Sequence, residues 1–335
     1  MKVKFIISFF FIILSISSQE INPDYYITQA KKIEKSSVLF SIPLYEKALE
    51  MELSQKEKSF IIGKLFDLYL NYSKIEEIFI LTKNHEIDKS REIKLNHLYK
   101  TLAHNINMQE EKFKDFIECL LSKDYHSQKK LLNYYAEERS IYVLNYIFAI
   151  KYKLQDFESL GYLISEAPDM PPSLRLAYLI KTNSKEAEKK IKEFAKISEL
   201  TDDQRMEILF LYGAYLQKKR RYKQSARYFR MSASFDKKNT NFAKMGIVEA
   251  AKSLFINGKG QEGCELLEGK KIQVQTESDE LLNLYCNKKI QKDLNKYLPA
   301  IEVLAKQESG VIFRSYLQLY LDKESYNPIN YEDNF

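Results

Sequence analysis

Apolar residues recur every three or four positions along nearly the whole chain after its first twenty residues. One such stripe consists of Ile62, Leu65, Phe66, Tyr69 and Leu70, and another of Leu209, Tyr212, Gly213 and Leu216. This spacing follows the 3.6-residue period of an α-helix, and no segment alternates convincingly at the two-residue period of a half-buried strand. The pattern predicts helices at residues 23–35, 40–53, 55–71, 73–83, 89–105, 109–123, 126–137, 139–152, 156–166, 172–182, 184–198, 202–219, 222–235, 240–257, 260–268, 276–290, 293–307 and 310–322.

Short connections join these predicted helices, so neighbours should pack antiparallel. The 335 residues include only 9 glycines and 7 prolines, and sheet-rich folds use more of both in their turns. The clearest break lies between Ala167 and Pro172, where prolines end one helix and start another. We therefore predict helical segments at 19–167 and 172–322 in one superhelix bent at this break, with a hinge or merely a longer loop as the alternatives. Residues 323–335 lack periodicity and are predicted to be disordered.

The first eighteen residues have the pattern of a secretory signal peptide. Lys2 and Lys4 precede an apolar block from Phe5 to Ile16, and the polar residues Ser17 and Ser18 follow. The block of roughly 12 residues is too short to cross a bilayer core of about 30 Å as a helix. We expect export to the periplasm with cleavage near residue 18 and no membrane span afterwards. An uncleaved N-terminal anchor is the alternative.

Residues 209–236 resemble a tetratricopeptide repeat, a pair of antiparallel helices with small residues where they cross. Gly213 holds the small position of the first helix, and Tyr222 packs the turn. Ser225, Phe229 and Ser232 hold the small, aromatic and small positions of the second helix. Two of these positions hold serine where the family usually has alanine, and Lys237 replaces its closing proline.

A second match lies at residues 41–51, where Ser41, Tyr45 and Ala48 hold the small, aromatic and small positions. Its preceding helix matches poorly, because Gln29 replaces the glycine, and Gly63 and Gly263 mark weaker echoes of the repeat. The resemblance implies an all-α, right-handed solenoid of antiparallel helix pairs, similar to tetratricopeptide superhelices.

The resemblance also implies a binding groove, because such superhelices usually hold a partner segment against the wall made by their first helices. By position, this wall would include Phe210, Ala214, Gln217, Val248, Lys252 and Phe255. We expect the two phenylalanines to face solvent in the free protein. The clamp with which some family members grip a terminal carboxylate needs Lys and Asn where Phe210 and Ala214 stand, which favours an apolar or helical ligand.

The sequence motifs that could indicate a cofactor or metal site are better explained as structural features of helices and turns. Gly258–Gly263 spells GxGxxG, but a dinucleotide site needs a strand before it, and a helix is predicted there. His97 and His104 are about 10 Å apart on one helix, too far for one metal ion. We predict no enzyme activity, no cofactor and no metal. Cys119, Cys264 and Cys286 either include one disulfide, for which Cys264–Cys286 is the candidate pair, or are all buried thiols.

A run of positive charge is the remaining candidate surface. Lys218, Lys219, Arg220 and Arg221 adjoin Lys223, Arg227 and Arg230. This basic patch could bind an acidic partner, an anionic lipid surface or a cell-wall polymer, or it could simply be a polar turn. The net charge of +6, or +4 without Lys2 and Lys4, is mild, and with export it argues against nucleic acid.

These features favour a non-catalytic periplasmic scaffold that mediates protein–protein interactions in assembling an envelope machine. Composition, signal and repeat type are similar to those of the collar proteins of periplasmic flagella, which implies flagellar-motor proteins as partners. The alternative is a periplasmic chaperone for outer-membrane proteins, with transient and varied clients, and an envelope enzyme is a third hypothesis.

Overall fold

The computed structural model describes residues 22–138, 141–167, 171–182, 185–194, 200–235, 241–268, 274–289, 294–307 and 309–321. The predicted signal peptide at 1–18 and the predicted tail at 323–335 lie outside these ranges. Within them the fold is all-α, as the sequence predicts, with no strand. Each predicted helix is present with its ends shifted by a few residues at most.

The helices in chain order are α1 (Pro23–Glu34), α2 (Val38–Leu49), α3 (Gln55–Asn71), α4 (Ile75–Asn84), α5 (Lys89–Asn105), α6 (Glu110–Leu121), α7 (Tyr125–Glu138), α8 (Ile141–Lys153), α9 (Phe157–Glu166), α10 (Pro172–Lys181), α11 (Glu186–Phe194), α12 (Asp202–Lys218), α13 (Tyr222–Ser234), α14 (Asn241–Ile256), α15 (Gly260–Leu267), α16 (Glu277–Cys286), α17 (Leu294–Ala305) and α18 (Val311–Leu321). Capping boxes at Ser54, Thr201 and Thr276 start α3, α12 and α16, because each side chain accepts a bond from an amide that the helix leaves unpaired.

The same turn connects five helix pairs: α3–α4, α5–α6, α8–α9, α12–α13 and α14–α15. Each turn has one residue with a positive φ, namely Ser73, Asn107, Gln155, Arg220 and Gly258. The amide after that residue donates to a carbonyl five residues back, as Arg221 does to Leu216 and Lys259 to Leu254. This is the bonding of a Schellman C-cap. The same helix–turn–helix connection therefore recurs five times among the described residues.

The largest hydrophobic core joins the two ends of the described chain. It contains Phe40 and Tyr45 of α2 together with Ile301 of α17 and Tyr316 of α18. The Phe40 ring centroid lies 5.7 Å from that of Tyr297 and 6.4 Å from that of Phe313. Helix α17 packs against both α1 and α2, and Lys74 Nζ lies 2.6 Å from Glu277 Oε1 of α16.

The helices between these ends pack mostly against close neighbours in the sequence. Successive clusters lie around Phe113 and Phe116 of α6, around Leu216 of α12, and around Phe229 of α13. Arg175 Nη2 donates to the Ala167 carbonyl across the predicted break at a distance of 3.0 Å, and α9 packs against α10. Contacts therefore run from helix to helix around the molecule and close where α16–α18 meet α1–α2, a contact that periodicity did not predict.

Candidate protein interaction surfaces

Helices α12 and α13 cross where the repeat resemblance predicts. A Cβ atom on Gly213 would lie only 2.8 Å from Cδ1 of the buried Phe229 ring, so the crossing requires a residue without a side chain. The Ser225 hydroxyl donates to the Gly213 carbonyl at 2.8 Å, and the Ser232 hydroxyl donates to the Met206 carbonyl at 2.7 Å. The two serines thus bond α13 to α12, which accounts for serine where alanine is usual. Tyr222 begins α13 and is half-buried.

The residues of the second set of packing positions are buried in the first helix pair. Ser41, Tyr45 and Ala48 are fully buried on α2. The Tyr45 hydroxyl donates to Glu34 of α1 at 3.0 Å, and burial, followed by this bond, raises the pKa of Tyr45. Helices α1 and α2 therefore form a close antiparallel pair although Gln29 replaces the expected glycine.

The predicted groove is divided into two parts by the structure. On α12, Phe210, Ala214 and Gln217 are half-buried. The Phe210 ring lies 5.0 Å from the rings of both Phe229 and Phe242, and Gln217 Nε2 donates to Ser253 at 3.2 Å. These three residues therefore form a partly accessible wall, which we call the α12 wall. Their role in binding stays a prediction.

On α14 the prediction of a solvent-facing wall was wrong. Phe255 is 1% exposed and packs edge-on against Tyr285 of α16 at 4.8 Å. Val248 is buried in the core that joins the chain ends. Lys252 Nζ is buried and lies 2.6 Å from Asp279 Oδ1 and 2.7 Å from Glu249 Oε1. Helix α16, the second helix after α14 in the chain, covers this face, so these residues hold helices together.

Asp279 and Lys252 form a buried ion pair with opposed pKa shifts. Burial raises the pKa of Asp279, but Lys252 and the bonds from Thr276 outweigh it, so the net shift is downward. Burial lowers the pKa of Lys252, but Glu249 and Asp279 outweigh it, so the net shift is upward. Both groups are charged at neutral pH and join α14 to α16.

The predicted basic patch lies at the exposed turn between α12 and α13. Lys218 Nζ donates to the Lys181 carbonyl at 2.8 Å and the Ile180 carbonyl at 3.3 Å, at the C-terminus of α10. Arg221 Nη1 lies 4.0 Å from Glu188 of α11, and Lys219 Nζ lies 5.8 Å from the Tyr215 ring centroid. Arg220 takes the positive φ of the turn. Part of this patch therefore serves to attach α12 to earlier helices.

Sequence reasoning missed a buried polar network at the ends of three helices. Lys151 Nζ is fully buried, lies 2.8 Å from Asp156 Oδ2, and donates to the Ser122 carbonyl just after α6. Asp156 caps α9 by accepting from Ser159, and Gln128 donates to the Ser159 hydroxyl at 2.8 Å. All these polar groups are paired inside the protein, which indicates a structural role. A lysine and a serine of this kind give no periodic signal in a sequence.

A second charged cluster lies where α2, α3, α4, α8 and α16 converge. The Tyr69 hydroxyl donates to Glu46 at 2.7 Å, and Lys153 pairs with Glu77. Burial raises the pKa of Glu46 although the bond from Tyr69 opposes it. Burial also raises the pKa of Glu76. The carboxylates are interleaved with lysines rather than gathered around one point.

The GxGxxG segment is a turn between two helices. Gly258 has φ +77° at the end of α14, and a Cβ on Gly263 of α15 would lie 2.9 Å from the Ala251 carbonyl oxygen. His97, His104 and His126 are exposed, and His85 is half-buried. Among the residues that the structure describes, no three His, Cys, Asp or Glu side chains gather closely enough to hold a metal ion.

The structure joins Cys264 of α15 to Cys286 of α16 by a disulfide with a Cα–Cα distance of 5.3 Å. Cys119 is a buried thiol, and its burial raises its pKa. Of the two readings of the cysteines, the pair is therefore the one that the structure contains.

Two of the cavities on the described surface lie beside charged clusters. One of about 320 Å³ lies between α3 and α5 and is lined by Phe60, Gly63, Asp67 and Arg91 among others. The other, of about 390 Å³, lies beside the Lys151 network and is lined by Tyr125, Gln128 and Asp156 among others. In the first, Arg91 already pairs with Asp67 and Asp88, so its charge is balanced.

None of the described helices combines the length and the apolar character that a bilayer crossing requires. No family model, curated protein or solved structure matches the chain.

Proposed function

We propose that this protein is an exported scaffold of tetratricopeptide-like helix pairs, arranged as a right-handed superhelix, that binds other proteins in assembling an envelope machine. The crossing of α12 and α13 at Gly213 is the observation that carries the proposal. A glycine under a buried aromatic ring, repeated helix–turn–helix connections and half-buried residues on the first helix are features of repeat scaffolds.

The Cys264–Cys286 pair supports export. Disulfides persist in oxidising compartments such as the bacterial periplasm and are rare in the cytosol. The basic and apolar pattern of residues 2–16 is a second, independent reason. Fusing residues 1–25 to a reporter tests it: we expect the reporter outside the cytoplasm and a mature N-terminus near Ser18 or Gln19. Mature protein that still begins at Met1 would favour an anchor instead.

The α12 wall is the proposed partner site. Phe210 and Ala214 offer apolar surface, while Gln217 adds a polar group, a combination that suits an apolar or helical segment. A photo-crosslinking amino acid at Ala214 should capture partners in living cells. The same amino acid at the exposed Lys32 of α1 is the matched control.

The captured partners distinguish the hypotheses. A scaffold should give one or a few discrete, stoichiometric products at Ala214 and none of them at Lys32. Many faint products that contain outer-membrane proteins would favour the chaperone instead. The finer hypothesis, the collar of a periplasmic flagellar motor, requires motor components among the discrete products.

A further inference from the structure

Three positive side chains lie along the outer side of α13. Lys223, Arg227 and Arg230 follow one another at intervals of four and three residues, so they share one face over about 10 Å of helix. All three are exposed, and none forms an ion pair with another residue of the described chain. We call these three residues the α13 basic face.

The stretch of sequence around this face is poor in negative charge, with Glu207 and Asp236 at its two ends. Residues 208–235 include seven Lys or Arg and no Asp or Glu. Helix α11 shows the usual alternative, since Lys192 pairs with Glu188 at 2.9 Å and Lys190 pairs with Glu193 at 3.0 Å. An ordinary solvated helix surface mixes both signs as α11 does, so it does not account for α13.

The α13 basic face lies opposite the packed side of its helix. Ser225, Ala226, Phe229 and Ser232 are buried against neighbouring helices. The cationic face therefore points away from the helices packed against α13, and neither cavity described above is lined by its residues. Such an outward face offers no walls to enclose a small anion or a peptide terminus, but it can lie against a broad surface of negative charge.

An apolar side chain borders the same face. Met231 is 37% exposed, lies eight residues after Lys223, and therefore shares the edge of its face. Helices at a membrane interface bury apolar side chains beside their positive ones, and Met231 could enter such an interface in the same way. This pattern favours lipid over a soluble polyanion, which would offer nothing to the methionine.

We propose that the α13 basic face binds the surface of a membrane that contains anionic phospholipid. The attraction is Coulombic and acts within about one Debye length, roughly 8–10 Å at physiological salt. The protein then lies against the bilayer by the outer side of α13.

Vesicle flotation tests this inference with protein recovered from cells that make the full chain. The probes are vesicles of phosphatidylcholine alone and vesicles that also contain about one-third phosphatidylglycerol. We expect preferential binding to the anionic vesicles that weakens as salt rises. Replacing Lys223, Arg227 and Arg230 by Ser should lower that binding by roughly tenfold to a hundredfold. The matched control replaces three exposed lysines by Ser, namely Lys32 of α1, Lys35 just after α1 and Lys56 of α3. It removes the same charge and should keep most of the binding.

A charge-preserving variant separates a membrane from an acidic protein site. Arg227→Lys with Arg230→Lys should bind anionic vesicles as well as the unmodified protein, because a lipid surface needs only the charge. An acidic protein site should bind this variant more weakly, because lysine cannot make the bidentate contacts that arginine makes to carboxylates. The proposal is overturned if the triple Ser variant binds normally, if the control loses as much, or if this lysine variant fails to bind. Binding to soluble polyphosphate in preference to anionic vesicles would also overturn it. Matching thermal unfolding of all variants shows that folding is unaffected.

Discussion

Helices α2 and α13 hold the same position in the two best-matched repeat pairs, yet their outer faces differ. Both bury the small, aromatic and small residues that pack against the preceding helix. Helix α2 also buries Leu39, Phe40 and Leu44, because α17 covers its other side. Helix α13 leaves that side to solvent and places cations on it. A match to the repeat thus predicts how the two helices of a pair pack against each other. Whether the outer face of the second helix is buried depends on the rest of the chain.

The largest expected effect tests the buried outer face of α2. Phe40→Ala should lower the free energy of unfolding by about 3–5 kcal/mol, because it leaves a cavity between α2, α17 and α18. Arg227→Ala on the outer face of α13 should change it by about 0.5 kcal/mol or less. Urea unfolding measures both. Similar losses for the two variants would mean that α2 is not covered as described.

Removing the disulfide tests the helix next to the closure. Reduction of Cys264–Cys286 should cost about 3 kcal/mol, since the bond closes a loop with a sequence separation of 22 residues. The measurement is urea unfolding with and without reductant. The double variant Cys264→Ser, Cys286→Ser is the control and should not respond to reductant. An equal response of the variant would assign the effect to Cys119.

A smaller effect tests the inner packing that α13 shares with α2. Gly213→Leu should cost about 1–3 kcal/mol, because any side chain there meets the Phe229 ring. Gln224→Ala, on the exposed side of α13, should be nearly neutral. Melting temperatures decide the matter, and equal values would refute the alignment of residues 209–236 with the repeat.

The smallest expected effect is the loss of stability at low pH, which should affect α14 and α16 but not α13. The lowered pKa of Asp279 means that its stabilisation is present above its unfolded pKa of about 3.9 and is lost as pH falls through the lower folded value. The loss is about 1.4 kcal/mol for each unit of displacement. Hydrogen exchange at pH 6 and below pH 4 should therefore show α14 and α16 opening before α13, whose sequence contains no carboxylate. Earlier opening of α13 would contradict this assignment.

The helices were predictable because apolar residues recur at three- and four-residue spacing along most of the chain, and the crossing at Gly213 because a glycine beside aromatics is a strong local pattern. The recurrent turn was hidden, since four of its five positive-φ positions hold Ser, Asn, Gln or Arg instead of glycine. The burial of Phe255 was missed because position within a repeat does not reveal which later helix will cover it.

The burial of the outer side of α2 has a signal in the sequence that comparison with the tetratricopeptide repeat does not use. Residues 38–45 are apolar at nearly every position, and a helix that is apolar all round is buried on all sides. Residues 222–234 have the opposite pattern, with one apolar stripe. Comparing the outer positions of equivalent helices would therefore have predicted that another part of the chain covers α2, although not which part.

The contact between α2 and α17 also determines when the apolar outer side of α2 can be covered during synthesis. The apolar outer side of α2 is made early, and α17 begins roughly 250 residues later. At about 5–20 residues per second, a ribosome needs on the order of 10–50 s to supply the helix that covers it. During that interval the apolar outer side of α2 is exposed and can bind other proteins or aggregate. The fraction of newly made protein that folds without aggregation should thus depend on how quickly α17 and α18 are synthesised.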